Sequence, residues 1–376
     1  MKSAIGYDLF IPGAAWRRGQ FRWVMQDLAG TARQPEHDPR THLRAVFEWL
    51  WRAQDASLVG TSETGETALC AECVSAGWTF DAGWLPTSLN TTGRLVESYV
   101  PAARYLAWPA LETRARSMVH ALLKPSDEPS AGQIHGLIAG ELQLGMEGCL
   151  SHAVNQAYAL LDWPVTSTLH RAERAHAMAA LALASQDAGL RRAAENDLND
   201  LLSRQTPCGW FAEAGDHTAT STLAGILRSL IELSILLDDT HANQAALRVA
   251  HGFCNTLHRE GWLVGAYDDG WMPATRHASL TGLVQVAGGW LRLSQVSSGV
   301  PWRDAAGRAL SWVKRNQRIE GSDLALRAAL PNSVPIWGGP GAFGFDAMNA
   351  KYFVDALMMD MVGISIPPLA RRMEPV

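Results

Sequence analysis

Residues able to move protons gather most densely in one stretch of the last third of the chain. There Tyr267, Asp268, Asp269 and Arg276 stand around two Gly-Trp dipeptides, Gly261-Trp262 and Gly270-Trp271. A carboxylate held near aromatic rings can have a raised pKa and act as acid or base, and Tyr267 is a natural partner for it. Tyr267 and Arg276 also suit the holding or polarising of a hydroxyl or a carboxylate. Two adjacent carboxylates in a loop do not face the same way, so at most one of Asp268 and Asp269 points inward. The plain alternative is a tight turn, because Asp-Gly favours one and an aspartate there bonds its own backbone.

Two further groups have a similar make-up. Glu213, Asp216 and His217 precede an apolar helical stretch. His217 is either an acid/base or ligand contact, or a capping or packing histidine; Asp216 reads equally as a helix cap. Asn90, Thr91 and Thr92 open another helix after Trp78 and Trp84, as caps or as contacts. Hydrolysis of a glycosidic bond needs two carboxylates facing each other at a set separation, and Glu213 with Asp268 is the pair to measure. Trp84, Trp210, Trp271 and Trp337 lie in loops and are candidate stacking surfaces. Lys351 follows the glycine-rich stretch 335–345 and reaches either the interior or Asp355 four residues on.

Metal chemistry has little support. Cys70-Ala-Glu-Cys73 is a lone C-x-x-C, whereas a zinc site normally takes four ligands, often from a second pair. No metal and no cofactor are therefore expected.

These residues need a scaffold, and the chain supplies a helical one. Leu43, Val46, Phe47, Leu50 and Trp51 fall on one helical face. The pattern recurs, predicting helices near 90–106, 109–123, 131–145, 147–163, 167–185, 190–204, 217–237, 241–257, 276–296, 301–316 and 346–362. Little reads as strand. Two kinds alternate: charged amphipathic helices with one wet face, and helices apolar nearly all round. Even the apolar stretch 223–237 is interrupted by Arg228 and Glu232. Gly282, Gly288 and Gly289 cost helix propensity, and close helix–helix approach is their expected use. Paired helices that cannot stand alone are the mark of a stacked or closed array. Six pairs close into one all-α (α/α)6 toroid over 41–365, with an irregular entry segment at 1–40 and a tail at 366–376.

Composition narrows the partners. The chain has 376 residues, 47% of them hydrophobic, 18% charged, with a net charge of −5. No Lys/Arg cluster provides the basic face that nucleic acid needs. The 15 tryptophans against 6 tyrosines and 9 phenylalanines fill a large core, and those in loops suit flat ligand faces. No long apolar run marks a signal peptide or a membrane span. The five cysteines are odd in number and lack framework spacing. A cytoplasmic protein with free thiols is the expectation.

The ends of the repeats carry a resemblance. Gln205-Thr-Pro-Cys-Gly209-Trp210 and His258-Arg-Glu-Gly261-Trp262 resemble the repeat ends of the terpenoid-cyclase and protein-prenyltransferase toroids. Within that superfamily the chain resembles the VpsJ-like proteins associated with bacterial polysaccharide biosynthesis. The segments are Asn90-Thr-Thr-Gly-Arg94, Gln205–Phe211 leading to His217-Thr-Ala-Thr, Tyr267-Asp-Asp-Gly-Trp-Met-Pro, Ser279-Leu-Thr-Gly and Val334-Pro-Ile-Trp-Gly-Gly339 running to Asn349-Ala-Lys-Tyr-Phe-Val-Asp-Ala-Leu357. Together they cover about 41–362. The resemblance implies a six-hairpin toroid with a funnel at one end, an oligo- or polysaccharide substrate, and association with polysaccharide-synthesis machinery. It supplies no agreed mechanism, and fold alone does not choose one. A glycan-modifying lyase, epimerase or hydrolase would use Asp268 or Asp269 with His217 or Tyr267, and Arg276 as anchor. A non-catalytic glycan-binding or assembly factor would use the same rings. Terpenoid chemistry is the weaker alternative: the D-x-D-D motif is absent, and Asp238-Asp239 sits at the far end of an apolar helix.

Overall fold

The structure, a computed structural model, describes residues 18–59, 72–126, 128–213, 215–296 and 302–363. Its first helix, α1 (Arg18–Leu28), lies in the stretch expected to be irregular. Trp23 gives α1 its anchor, packing edge-on against Phe80 and Phe345 at 6.0 and 5.4 Å.

Beyond α1 the predicted helices appear in order. First come α2 (Pro39–Val59), the short strands β1 (Gly77–Thr79) and β2 (Gly83–Trp84), and α3 (Leu89–Tyr105). Next are α4 (Ala110–Leu122), α5 (Ala131–Leu144), α6 (Cys149–Asp162), α7 (Thr168–Ser185) and α8 (Ala188–Ser203). The last third holds β3 (Thr218–Ala219), α9 (Thr220–Leu236), α10 (Thr240–Thr256), β4 (Ala266–Tyr267), β5 (Ala278–Ser279) and α11 (Leu280–Val296). It ends with α12 (Trp302–Asn316), β6 (Ser333–Val334), β7 (Gly344–Asp346) and α13 (Ala347–Val362).

The apolar helices α3, α5, α7, α9, α11 and α13 pack side by side, and α13 returns to α3, so the inner ring closes. Each of α4, α6, α8, α10 and α12 packs outside the inner helix before it. The first outer helix, α2, packs on the last inner one, α13, so the sixth hairpin is completed by opposite ends of the chain. This is an (α/α)6 toroid. Its core is continuous; on α9 alone Leu223, Ile226, Leu227, Leu230, Ile231 and Leu233 are fully buried, each stabilising by about 1.5–3 kcal/mol. Glycine sets how tightly the ring closes. A methyl group on Gly93 would stand 2.0 Å from the Gly132 carbonyl oxygen, so α3 and α5 touch backbone to backbone. Gly282 plays the same part against α9: its methyl would meet the Ser221 nitrogen at 2.9 Å.

Because each outer helix reverses the chain, all six inner helices start at one end, which forms the rim. Ser88, Ser130 and Ser167 cap α3, α5 and α7 there, their side chains accepting from Thr91, Gln133 and His170. Asp346 caps α13. Asp216, read as a candidate cap, is exposed, and α9 starts at Ala219 without a side-chain cap.

The rim is uneven. Small antiparallel ladders stitch its long loops together, with Trp78 opposite Trp84 and Phe345, Thr218 opposite Tyr267, and Ala278 opposite Val334. The connections before α5 and α7, at 123–130 and 163–167, are short and outside every named strand. One side of the mouth is therefore built up and the other left low.

Candidate functional site

Most of the sequence-predicted residues sit on the built-up side, and there the backbone claims them. Asp268 Oδ1 accepts hydrogen bonds from the Gly270 and Met272 amides at 3.0 and 2.8 Å, closing its own turn. Asp269 is exposed, and its carbonyl accepts a bond from the Cys208 thiol at 2.9 Å. Tyr267 is fully buried against Phe253 and Trp271, and burial pushes its hydroxyl up to about 12; a partner for substrate needs access that it lacks. Trp210 and Trp271 are 5% and 8% exposed, and their indole nitrogens donate to the carbonyls of Tyr267 and Cys208. Neither offers a face for stacking.

Glu213 Oε1 accepts from the Leu169 amide at 3.0 Å, so this carboxylate serves the start of α7. His217 and Arg276 are exposed. Trp84 is half-buried against Trp49, with ring centroids 5.6 Å apart, and Trp337 is half-buried in the loop before β7. Of the suspected zinc pair, Cys73 is buried and Cys70 lies outside the described residues. No group of three His, Cys, Asp or Glu side chains among the described residues is placed to hold a metal ion.

The interior of the ring carries the chemistry that the loops do not. Charged side chains come from five of the six inner helices: Arg94 and Glu97 on α3, Glu173 on α7, Arg228 and Glu232 on α9, Arg292 on α11, Lys351 and Asp355 on α13. His135 of α5 and His176 of α7 complete the set. A helix satisfies its own amides and carbonyls, so polar groups on its buried face must find each other. They do. His135 Nδ1 lies 3.1 Å from Glu97 Oε1, Lys351 3.8 Å from Glu97, and Arg94 3.6 Å from Glu173. Lys351 pairs with Asp355 on its own helix, which Ser98 also contacts at 2.6 Å. Deeper in the ring Arg292 grips Glu232 with two bonds, 2.9 and 3.2 Å. Arg228 lies over the Tyr352 ring at 5.0 Å. Arg94, Arg228, Arg292 and Lys351 thus balance Glu97, Glu173, Glu232 and Asp355.

Electrostatics follow from that balance. Burial alone would raise the Glu97 carboxyl, but His135, Lys351 and Arg94 outweigh it and hold it down at about 2. Burial, aided by Arg94, lowers His135 to about 4. Burial and the neighbouring His135 put His176 well below its ordinary value; the two rings are 4.5 Å apart. Glu97 is therefore ionised and both histidines neutral at pH 7. All three guanidinium nitrogens of Arg94 and both ring nitrogens of His176 lack a hydrogen bond among the described residues.

On the low side of the rim this interior comes to the surface. A cleft of about 230 Å³ lies over α3, α5 and α7, lined by Asn90, Trp163, Thr166, His170, Glu173 and Arg174. An adjoining opening of about 540 Å³ shares Asn90, Ser130 and Trp163 and adds Glu128 and Gln133. Trp163 is 49% exposed. Arg174 is fixed by a fork on Asp197, at 2.7 and 2.8 Å. Asn90 Oδ1 accepts from the Gly132 amide at 2.9 Å, tying α3 to α5 under the groove. Glu173 joins both regions, reaching the cleft above while Arg94 holds it from below. Of the sequence-predicted residues, Asn90 lines this groove and Lys351 lies in the ring interior. Trp163 and the interior set were missed. The signals were a tryptophan before a proline in a connection leading to an inner helix, and charges such as Arg228 and Glu232 inside an apolar stretch.

Comparison with solved structures finds this architecture in carbohydrate enzymes. The unsaturated glucuronyl hydrolase of Bacillus sp. GL1, described as responsible for degradation of glycosaminoglycan, superposes with a TM-score of 0.71 at 12% identity, covering 88% of this chain and 100% of its own. The toroid is the fold of that hydrolase. The Streptococcus agalactiae enzyme follows with a TM-score of 0.67 at 11% identity, over 91% and 96%. One specific for heparin also scores 0.67, at 10% identity over 87% and 98%. A scan against family models finds no match, and neither does a search of curated proteins. At such identities the likeness is one of fold. Among the described residues no helix is long and apolar enough to cross a membrane.

Proposed function

We propose that the protein is a carbohydrate-active enzyme whose site is the groove over α3, α5 and α7. The observation that carries this reading is the combination within one cleft of an exposed indole, Trp163, with Glu173, His170 and Asn90. An aromatic face stacks on the apolar side of a sugar ring, and polar groups around it fix the hydroxyls. Glu173 is the acid/base group, with His170 one helical turn away on the same face of α7 as its partner. Glu128 brings a second carboxylate to the adjoining opening, as hydrolysis requires. The glycan-acting toroids of similar fold support the substrate class. The segments that resemble the VpsJ-like proteins support a place in polysaccharide synthesis, and the substrate is then a glycan precursor or polymer of that process.

The test is to incubate fractionated bacterial polysaccharides and their precursors with wild type and with Glu173→Gln. Binding is followed by calorimetry and products by mass spectrometry. Retained binding with turnover lost at least a hundredfold is expected of the variant. Equal turnover in the two proteins overturns the assignment.

A second reading, non-catalytic glycan binding, rests on a specific observation: the loop carboxylates Glu213 and Asp268 both bond backbone amides. It is the better one if wild type binds a glycan through Trp163 and leaves every fraction unchanged.

A further inference from the structure

Another hollow lies on the rim, apart from the groove. Between α1 and the loop from α12 to β6 lies a cavity of about 260 Å³ that shares no wall residue with the groove. Arg22, Arg318 and Arg327 line it. Arg318 is set in place without a ligand: its guanidinium lies 3.2 Å from the centroid of the Trp23 ring and bonds Gln26. Arg22 and Arg327 are uncommitted, their side chains making no hydrogen bond and no ion pair among the described residues. Arg52 crowds the same place from behind, its Nη2 bonding the Arg327 carbonyl.

The nearby carboxylates do not answer these charges in kind. Glu320 and Asp323 also line the cavity, but both are exposed, neither forms an ion pair with these arginines among the described residues, and Asp323 Oδ1 accepts from the Ala325 amide at 3.0 Å. Asp27 bonds the Ile336 amide at 2.7 Å. Burial, with Arg22 adding to it, draws the Arg318 guanidinium down to about 10, against the pull of Asp27. Arg52 is lowered by burial and by Arg327. Arg22 thus opposes the charge of Arg318, and Arg327 that of Arg52, and an anion entering the cavity relieves both repulsions.

We propose that this cavity binds a phosphate group carried by a small molecule, with Arg318 preset on Trp23 and Arg22 and Arg327 closing on the oxygens. The planar fork of arginine matches phosphate oxygens two at a time. The volume admits the phosphate with a small appended group and no polymer.

Inorganic phosphate is the probe, titrated calorimetrically into the whole protein, with glucuronate as a parallel carboxylate arm. Wild type binds phosphate and not glucuronate, and added sodium chloride weakens the binding. Arg22→Gln and Arg327→Gln each lower the affinity at least tenfold, and Arg327→Lys restores part of it. Neither glutamine variant unfolds more easily than wild type in phosphate-free buffer, because neither side chain has a partner to lose. Absence of binding at about 10 mM phosphate, equal affinity in the glutamine variants, or equal binding of glucuronate overturns the proposal.

Discussion

The loop at 257–279 and the inner face of the ring hold the same kinds of residue and use them in opposite ways. In the loop, extended and turning backbone leaves amides free, and a carboxylate such as Asp268 bonds them at once. Past the first turn of the inner helices no amide is free, so Glu97, Lys351 and Asp355 are left to each other across the ring. A loop carboxylate is thus cheaply satisfied and chemically quiet. A carboxylate on a buried helix face holds its neighbours in place, and where that face reaches the rim, as at Glu173, it meets substrate space.

The strongest way to break this comparison is Glu97→Ala. It leaves Lys351 and His135 without their shared partner and removes a counter-charge from Arg94, and a loss of about 3–5 kcal/mol is expected by urea unfolding. A loss below about 1 kcal/mol would mean that the ring interior is wet and its charges screened.

Acid gives the next effect. Burial lowers the pKa values of His135 and His176 from the ordinary 6.5, to about 4 for His135, so the unfolded chain takes up protons that the folded one refuses. Stability is complete above pH 6.5 and falls as pH drops towards 4, by about 3 kcal/mol for one such ring. Glu97, depressed from 4.5 to about 2, adds a further loss as pH falls from about 4.5 to 2. Thermal unfolding between pH 7 and 5 reads the histidine part, and His176→Phe should flatten that slope. An unchanged slope would place the titrating groups elsewhere.

Trp163→Ala sharpens the contrast on the rim. A tenfold or greater loss of glycan affinity, about 1.4 kcal/mol, is expected while the unfolding midpoint stays put, since the ring is half exposed. The smallest effect belongs to the loop. Asp268→Ala should cost about 1 kcal/mol of stability through its two lost amide bonds and leave glycan binding as in wild type. A large loss of turnover in that variant would return the catalytic role to the loop.

The scaffold was legible because helix periodicity is local: the run Leu223, Ile226, Leu227, Leu230, Ile231 states its buried face directly. The alternation of apolar and charged helices then gave the ring. The site was far less so. Gly-Trp turns and an Asp-Asp pair drew attention to the loop, yet whether an aspartate is spent on a turn depends on amides whose direction the sequence does not show. Arg228, Glu232 and Lys351 stood out as charges on apolar helices, but the partners of Glu97 come from 38 to 254 positions away. Such pairings exist only once the ring has closed. Helix α1 was missed because the groups that hold it are distant in sequence: Trp23 packs on Phe80 and Phe345, and Asp27 accepts from the Ile336 amide.

The joining of α2 to α13 has a consequence for how the chain is made. During synthesis α2 emerges before every other helix of the ring and its packing partner after them, so a nascent chain ending before residue 347 is an open arc. Until α13 arrives, Glu97 has no Lys351 and the Arg228 guanidinium no Tyr352. The α13 share of the polar centre therefore forms last, whereas the pairs Glu97–His135, Arg94–Glu173 and Glu232–Arg292 need only helices already made.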